Sequence, residues 1–135
     1  MSSIIPHDAV LRIARPTDNL QPLVRMYTDG LGFTVLSEFS GHNGFDGVIL
    51  GHPAHPWHLE FTHHRGTLVG RAPTQDSLLV FYVPHRDTWQ ASCTAMTAAG
   101  FREVRAYNDY WDQRGKTFED LDGYRVVIEN DTWRK

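Results

Sequence analysis

The chain reads as one unit written twice: a strand, an amphipathic helix, then three more strands. In the first copy, residues 10–15 alternate, with Leu11 and Ile13 on one face and Val10, Arg12 and Ala14 on the other. Pro16-Thr17-Asp18-Asn19 is a turn that supplies a helix N-cap, and Pro22 falls in the first helical turn, where its missing N–H is harmless. Leu20, Leu23, Val24, Tyr27 and Leu31 recur at helical spacing, and Gly30 and Gly32 are expected to end the helix. Residues 33–39 and 45–50 read as strands around Gly41-His42-Asn43-Gly44, and residues 57–63 as a fourth.

The second copy repeats the order. Residues 77–83 form a strand, and Asp87 or Thr88 is expected to cap a helix whose stripe is Trp89, Cys93, Met96 and Ala99, stopped by Gly100. Residues 101–105, 116–119 and 125–129 are the remaining strands. Residues 108–115 form a loop, and Asp122-Gly123 turns the last hairpin. The pattern is βαβββ twice, an α+β class. Residues 9–64 and 77–130 are the two modules of one domain spanning 1–135, joined by the polar, glycine-bearing linker 65–76.

Bulk properties remove several functions. Net charge is −3 and the basic residues are scattered, so no nucleic-acid partner is expected. No apolar run approaches the roughly 18 residues of a membrane span. No charged segment followed by an apolar run opens the chain, and the one cysteine, Cys93, has no intrachain partner. A reducing cytoplasm is the expected compartment. Cys93 sits on the helical stripe and reads as core rather than nucleophile.

The fourth strand carries the chemistry. Trp57, Leu59 and Phe61 point one way, and His58, Glu60 and Thr62 the other. An ordinary surface strand would show water the same polar face. Of eight histidines, five fall between His52 and His64. His52 and His55 lie in a proline-rich turn, and His63 and His64 at a strand end, without a zinc-type framework, so surface positions are expected. His58 differs because it shares a face with Glu60. It suits hydrogen bonding or acid–base work near neutral pH. His42, in a glycine-flanked loop, could join them in a two-histidine, one-carboxylate site.

The closing segment Phe118-Glu119-Asp120-Leu121-Asp122-Gly123-Tyr124-Arg125-Val126-Val127-Ile128-Glu129-Asn130, with Phe33 after Tyr27-Thr28-Asp29-Gly30-Leu31-Gly32, resembles the vicinal oxygen chelate superfamily of glyoxalases, bleomycin-resistance proteins and extradiol dioxygenases. Arg12-Ile13-Ala14-Arg15-Pro16-Thr17, His58-Leu59-Glu60-Phe61-Thr62 and Leu78-Leu79-Val80-Phe81-Tyr82-Val83-Pro84 resemble a little-described glyoxalase-like group within it. The resemblance implies curved mixed sheets around a cup-shaped pocket and, by family habit, a homodimer. It places the family's four metal-ligand positions at Arg12, Glu60, Ser77 and Val127. Only Glu60 is a usual ligand. Arginine has no lone pair to give and valine no donor, so no metal or other cofactor is expected at that position.

An Arg12–Glu60 pair on the pocket floor would either tie strands together or orient an anionic or carbonyl-bearing ligand. Ser77 and Phe81 share parity and are expected to face inward together. Tyr110 and Trp111, before the seventh strand, are expected either to close over a ligand or simply to pack beneath their loop. Two functions stay open. One is a metal-independent protein that binds a small organic molecule. The other is a lyase, isomerase or dioxygenase using a relocated metal or acid–base chemistry by His58 and Glu60.

Overall fold

The computed structural model describes residues 4–133. The first module comprises β1 (Leu11–Pro16), α1 (Leu20–Leu31), β2 (Thr34–His42), β3 (Phe45–Gly51) and β4 (Trp57–His64). The second comprises β5 (Leu78–Tyr82), α2 (Arg86–Ala98), β6 (Arg102–Val104), a 3-10 turn at Asp109–Asp112, β7 (Gly115–Glu119) and β8 (Arg125–Glu129). Each module makes one four-stranded mixed sheet, in the orders β1-β4-β3-β2 and β5-β8-β7-β6. In both, the first strand lies parallel to the last, because the intervening helix returns the chain to the same end, and the other pairs are antiparallel. Among the described residues no helix is long and apolar enough to cross a membrane.

One core serves both sheets. Val48, Leu50, Leu59 and Phe61 from the first sheet cluster with Leu23 and Tyr27 of α1, and with Met96, Phe101, Phe118, Val126 and Ile128 of the second module. The Tyr27 ring sits edge-on to Phe61 at 4.9 Å and to Phe101 at 5.3 Å, a favoured aromatic geometry. The helices meet at Gly30. A Cβ there would stand 2.9 Å from the Phe101 ring and 3.1 Å from the Met96 sulfur. Gly30 therefore serves close packing inside α1. The helix runs on to Leu31 and ends at Gly32, which takes the left-handed conformation at φ 70°.

One cap expectation holds in position and the other does not. Asn19 holds the N-cap position of α1, but its side chain makes no cap bond and donates instead to Asp122, 3.0 Å away. α2 starts at Arg86, one residue before the expected cap, with His85 as an N-cap lacking a side-chain bond.

A buried polar junction joins the modules. Asp120 accepts from the Tyr27 hydroxyl at 2.7 Å, Arg15 Nη1 at 3.3 Å, and the backbone N–H groups of Asp122 and Tyr124. The Thr17 hydroxyl donates to Asp122 at 2.6 Å, and the Arg15 guanidinium stacks 3.9 Å over the Tyr124 ring. Burial pushes the Asp120 carboxyl up, against the pull of its four donors, and burial beside Asp120 raises the Tyr27 hydroxyl strongly.

Candidate functional site

β1 and β4 run in parallel register with Arg12 beside His58 and Ala14 beside Glu60. Side chains alternate, so Arg12, His58 and Glu60 share the sheet face away from α1, while Ile13, Leu59 and Phe61 share the other. The same face carries Ile49 beside Glu60, Gly51 beside His58 and Gly47 beside Thr62. Arg12 Nε donates to His58 Nε2 at 2.8 Å, and Arg12 Nη1 lies 3.9 Å from Glu60 Oε2. The close contact is thus arginine to histidine, with the carboxylate at the edge of ion-pair range. Accepting from Arg12 uses the Nε2 lone pair, so in this arrangement the His58 ring carries its proton on Nδ1. The Arg12 side chain is 48 % exposed and that of Glu60 14 %.

Phe39 and Gly47 close one end of this face. A Cβ on Gly47 would run into the Phe39 ring, so the glycine makes room for an aromatic side chain lying across the sheet. A glycine inside a strand is the sequence signal for such an approach. His42 pairs at the level of Phe45 and His64. That is four residues along the strand from Glu60, roughly 13 Å. Its ring instead lies edge-on to Phe39 at 6.4 Å. His42, His58 and Glu60 are not brought together, and among the described residues no three His, Cys, Asp or Glu converge as a metal cluster.

The second sheet departs from the expected orientation. β5 pairs with β8 as Val80–Val127 and Tyr82–Glu129, so Leu78, Val80 and Tyr82 share the face of Val127. Phe81 has the other parity. It packs against the core, with its ring 6.2 Å from Phe33 and 5.9 Å from Trp57. Ser77 precedes the strand and is exposed. Neither Ser77 nor Phe81 faces the side that Val127 faces. Between the β1 and β5 edges lies an apolar cleft of about 270 Å³, lined by Ile13, Trp57, Leu59, Leu79, Val80, Phe81 and Tyr82.

Val127 is fully buried, as is its neighbour Thr117. Arg125, on the same face, donates to the Arg105 carbonyl at 3.3 Å, and the Arg114 carbonyl accepts from the Asn130 N–H at 2.7 Å. Segment 105–114 is thereby pinned across this half of the sheet. It holds the 3-10 turn, which Asn108 caps by accepting from the Tyr110 N–H. Tyr110 and Trp111 sit edge-to-face 5.0 Å apart, Trp111 half-buried and Tyr110 exposed. At the sheet's other margin Glu119 gathers Arg102, Arg71 and Arg125 at 2.7, 3.5 and 3.1 Å. Burial pushes the Glu119 carboxyl up, but Arg102 and Arg125 together hold it below its ordinary value.

The four family metal positions do not fit a metal. Arg12 offers only donors, Val127 is a sealed hydrocarbon, and Ser77 lies off the face, which leaves Glu60 alone.

Comparison with known proteins decides the family. Residues 11–62 match the YycE-like N-terminal domain and residues 76–130 the YycE-like C-terminal domain. YycE of Bacillus subtilis, itself uncharacterised, is 45 % identical over 122 residues, covering 90 % of this chain and 88 % of that one. The chain belongs to the YycE-like family. A crystal structure of Bacillus subtilis YycE, described as a protein of unknown function in the glyoxalase/fosfomycin resistance group, superposes with a TM-score of 0.87 at 43 % identity over 95 % of this chain and 93 % of that one. The trypanothione-dependent glyoxalase I of Leishmania major shares the fold at TM-score 0.69 and 19 % identity, over 90 % of this chain and 86 % of that one. So does TnmS3, an antibiotic-binding protein from Streptomyces sp. CB03234, at 0.64 and 19 %, over 95 % and 98 %. The fold is that of the vicinal oxygen chelate proteins, as the sequence motifs imply, and the YycE-like family carries it.

Proposed function

We propose that this YycE-like protein binds a small organic molecule over the open face of β1 and β4, without the metal centre usual in the superfamily, and that Arg12 orients an anionic or carbonyl group of that ligand. The observation that carries this reading is the Arg12–His58–Glu60 cluster. A fixed cation stands where the family's metal charge would be, and it is steadied by His58 through Nε. Among the described residues Arg12 Nη2 has no hydrogen-bond partner, which leaves a guanidinium edge suited to a carboxylate. Ile49, beside Glu60 on the same face and half-buried, supplies apolar surface for the rest of the molecule. TnmS3, an antibiotic-binding protein of the same fold, supports a binding role.

The second reading is an enzyme using Glu60 and His58 as acid and base, or a relocated metal. The two side chains share a face, which supports it, but His58 Nε2 is already engaged by Arg12. By family habit we also infer a homodimer. Leu11, Ile13 and Leu36 are exposed on the β1 and β2 edges of the first sheet, where a second copy could cover them.

The test is metal content of tag-free protein, then thermal shift with Zn, Ni, Fe, Mn and Mg, then calorimetric screening of small aromatic carboxylates. The expected result is no stoichiometric metal, and carboxylate binding that Arg12→Met abolishes. Near one metal per chain, lost in His58→Ala, would replace this reading with the enzymatic one.

A further inference from the structure

Glu129 has no assigned role and an unusual setting. It lies at the end of β8 on the same face as Val127, paired with Gly115. A Cβ on Gly115 would collide with Glu129 Oε1 and stand 2.7 Å from the Ile128 carbonyl, so the glycine lets the carboxylate fold down against the sheet. Glu129 is 5 % exposed, and among the described residues Oε1 has no hydrogen-bond partner. Thr117 Oγ1, on the same face, is likewise buried without a partner. A buried carboxylate oxygen left unpaired costs its desolvation, unless something from outside donates to it.

Glu129 lines a cavity of about 510 Å³ whose walls include Tyr82, Tyr110 and Trp133. The three ring residues are exposed toward solvent, while the carboxylate is sunk beneath. Among the described residues the lining charges are Glu129, Asp131 and Arg114, a formal balance of −1. Arg114 does not reach Glu129 as a partner. Its Nε pairs with Asp131 at 3.8 Å. Burial first, then the negative charges of Asp131 and Asp112, raise the Glu129 carboxyl against the weaker pull of Arg114.

We propose that this cavity is a binding site for a small organic ammonium ion, whose N–H donates to the Glu129 carboxylate while its hydrocarbon part rests on Tyr82, Tyr110 and Trp133. The chemistry fits on both counts. A charge-assisted hydrogen bond to the carboxylate offsets the cost of burying its charge, and aromatic faces attract a cation as well as its carbon skeleton. A carboxylate ligand would be repelled here and drawn instead to Arg12 on the other sheet. The two sites therefore select opposite charges, and this inference does not rest on the reading proposed for Arg12.

The experiment is calorimetric titration of the whole protein with three probes of one shape: benzylamine, benzyl alcohol and benzoate. Saturable binding is expected for benzylamine only, weakened about 10–100-fold in the isosteric Glu129→Gln variant for loss of one charged hydrogen bond. Tyr110→Ala, which alters an exposed wall and leaves the core intact, should weaken it too. Glu60→Gln should leave it unchanged. Absence of saturable benzylamine binding, equal binding of benzyl alcohol, or full binding in Glu129→Gln would each overturn the proposal and reduce the cavity to a pocket of bound water.

Discussion

Replacing Asp120 with alanine tests whether the polar junction holds the modules together. The Asp120 side chain is wholly buried and the Arg15 side chain 11 % exposed, with 3.3 Å between them. Alanine strands the guanidinium, the Tyr27 hydroxyl and two backbone N–H groups at once. Breaking a buried ion pair from one side costs about 3–5 kcal/mol. At about 2.1 cal/mol/K per residue, a chain of 135 residues unfolds with an entropy of about 0.28 kcal/mol/K, so Tm should fall by about 10–18 °C. Tyr27→Phe keeps the ring in the core but loses the bond donated to Asp120 at 2.7 Å and the longer one accepted from Arg15 at 3.3 Å, about 1.5–3 kcal/mol, or about 5–10 °C on the same entropy. Circular-dichroism melts near neutral pH, with urea titrations to confirm a single transition, read both. An Asp120→Ala variant that melts no lower than Tyr27→Phe would show that Arg15 escapes to solvent without penalty, and the ion-pair argument would be wrong.

Other outcomes follow from the same geometry. Gly47→Ala should destabilise by about 1–3 kcal/mol through overpacking against Phe39. Adding Phe39→Ala should recover part of that loss in urea denaturation, whereas additive losses would show that the ring does not lie across the glycine. Glu129 has a raised carboxyl, so the folded state holds its proton more tightly than the unfolded one, and its contribution to stability should fall as pH rises from the ordinary glutamate range through the raised value. Ligand-free Glu129→Gln should therefore be more stable than wild type near neutral pH, with the gain shrinking on acidification. A loss at neutral pH would contradict the unpaired carboxylate.

Local periodicity carries most of the fold. The helical stripe of Leu23, Val24 and Tyr27 and the alternation of Trp57, Leu59 and Phe61 place those residues in the core, because each pattern has only one face to bury. The same alternation puts Arg12, His58 and Glu60 on one face once β1 lies beside β4. What depends on register across the chain was less legible. Extending β5 back to Ser77 suggests the wrong inward set, since only the pairing of Val80 with Val127 shows which parity faces which side. Gly30 looks like a helix stop until Phe101, about seventy positions later, is seen against it. Glu129 shares the parity of Val127, but its burial depends on Gly115 opposite and on the 105–114 segment, which no local pattern reveals.

The junction also sets an order of events during synthesis. Arg15 and Thr17 find their carboxylates in Asp120 and Asp122, each 105 positions downstream. At about 5–20 residues per second, a ribosome needs roughly 5–20 s to deliver the second partner after the first. Throughout that interval the residues of the leading half's strands and helix are present, but its guanidinium and hydroxyl remain without the acceptors they occupy in the finished protein. The nascent first half is an unfinished fold awaiting the last hairpin, and the chain completes itself from its tail.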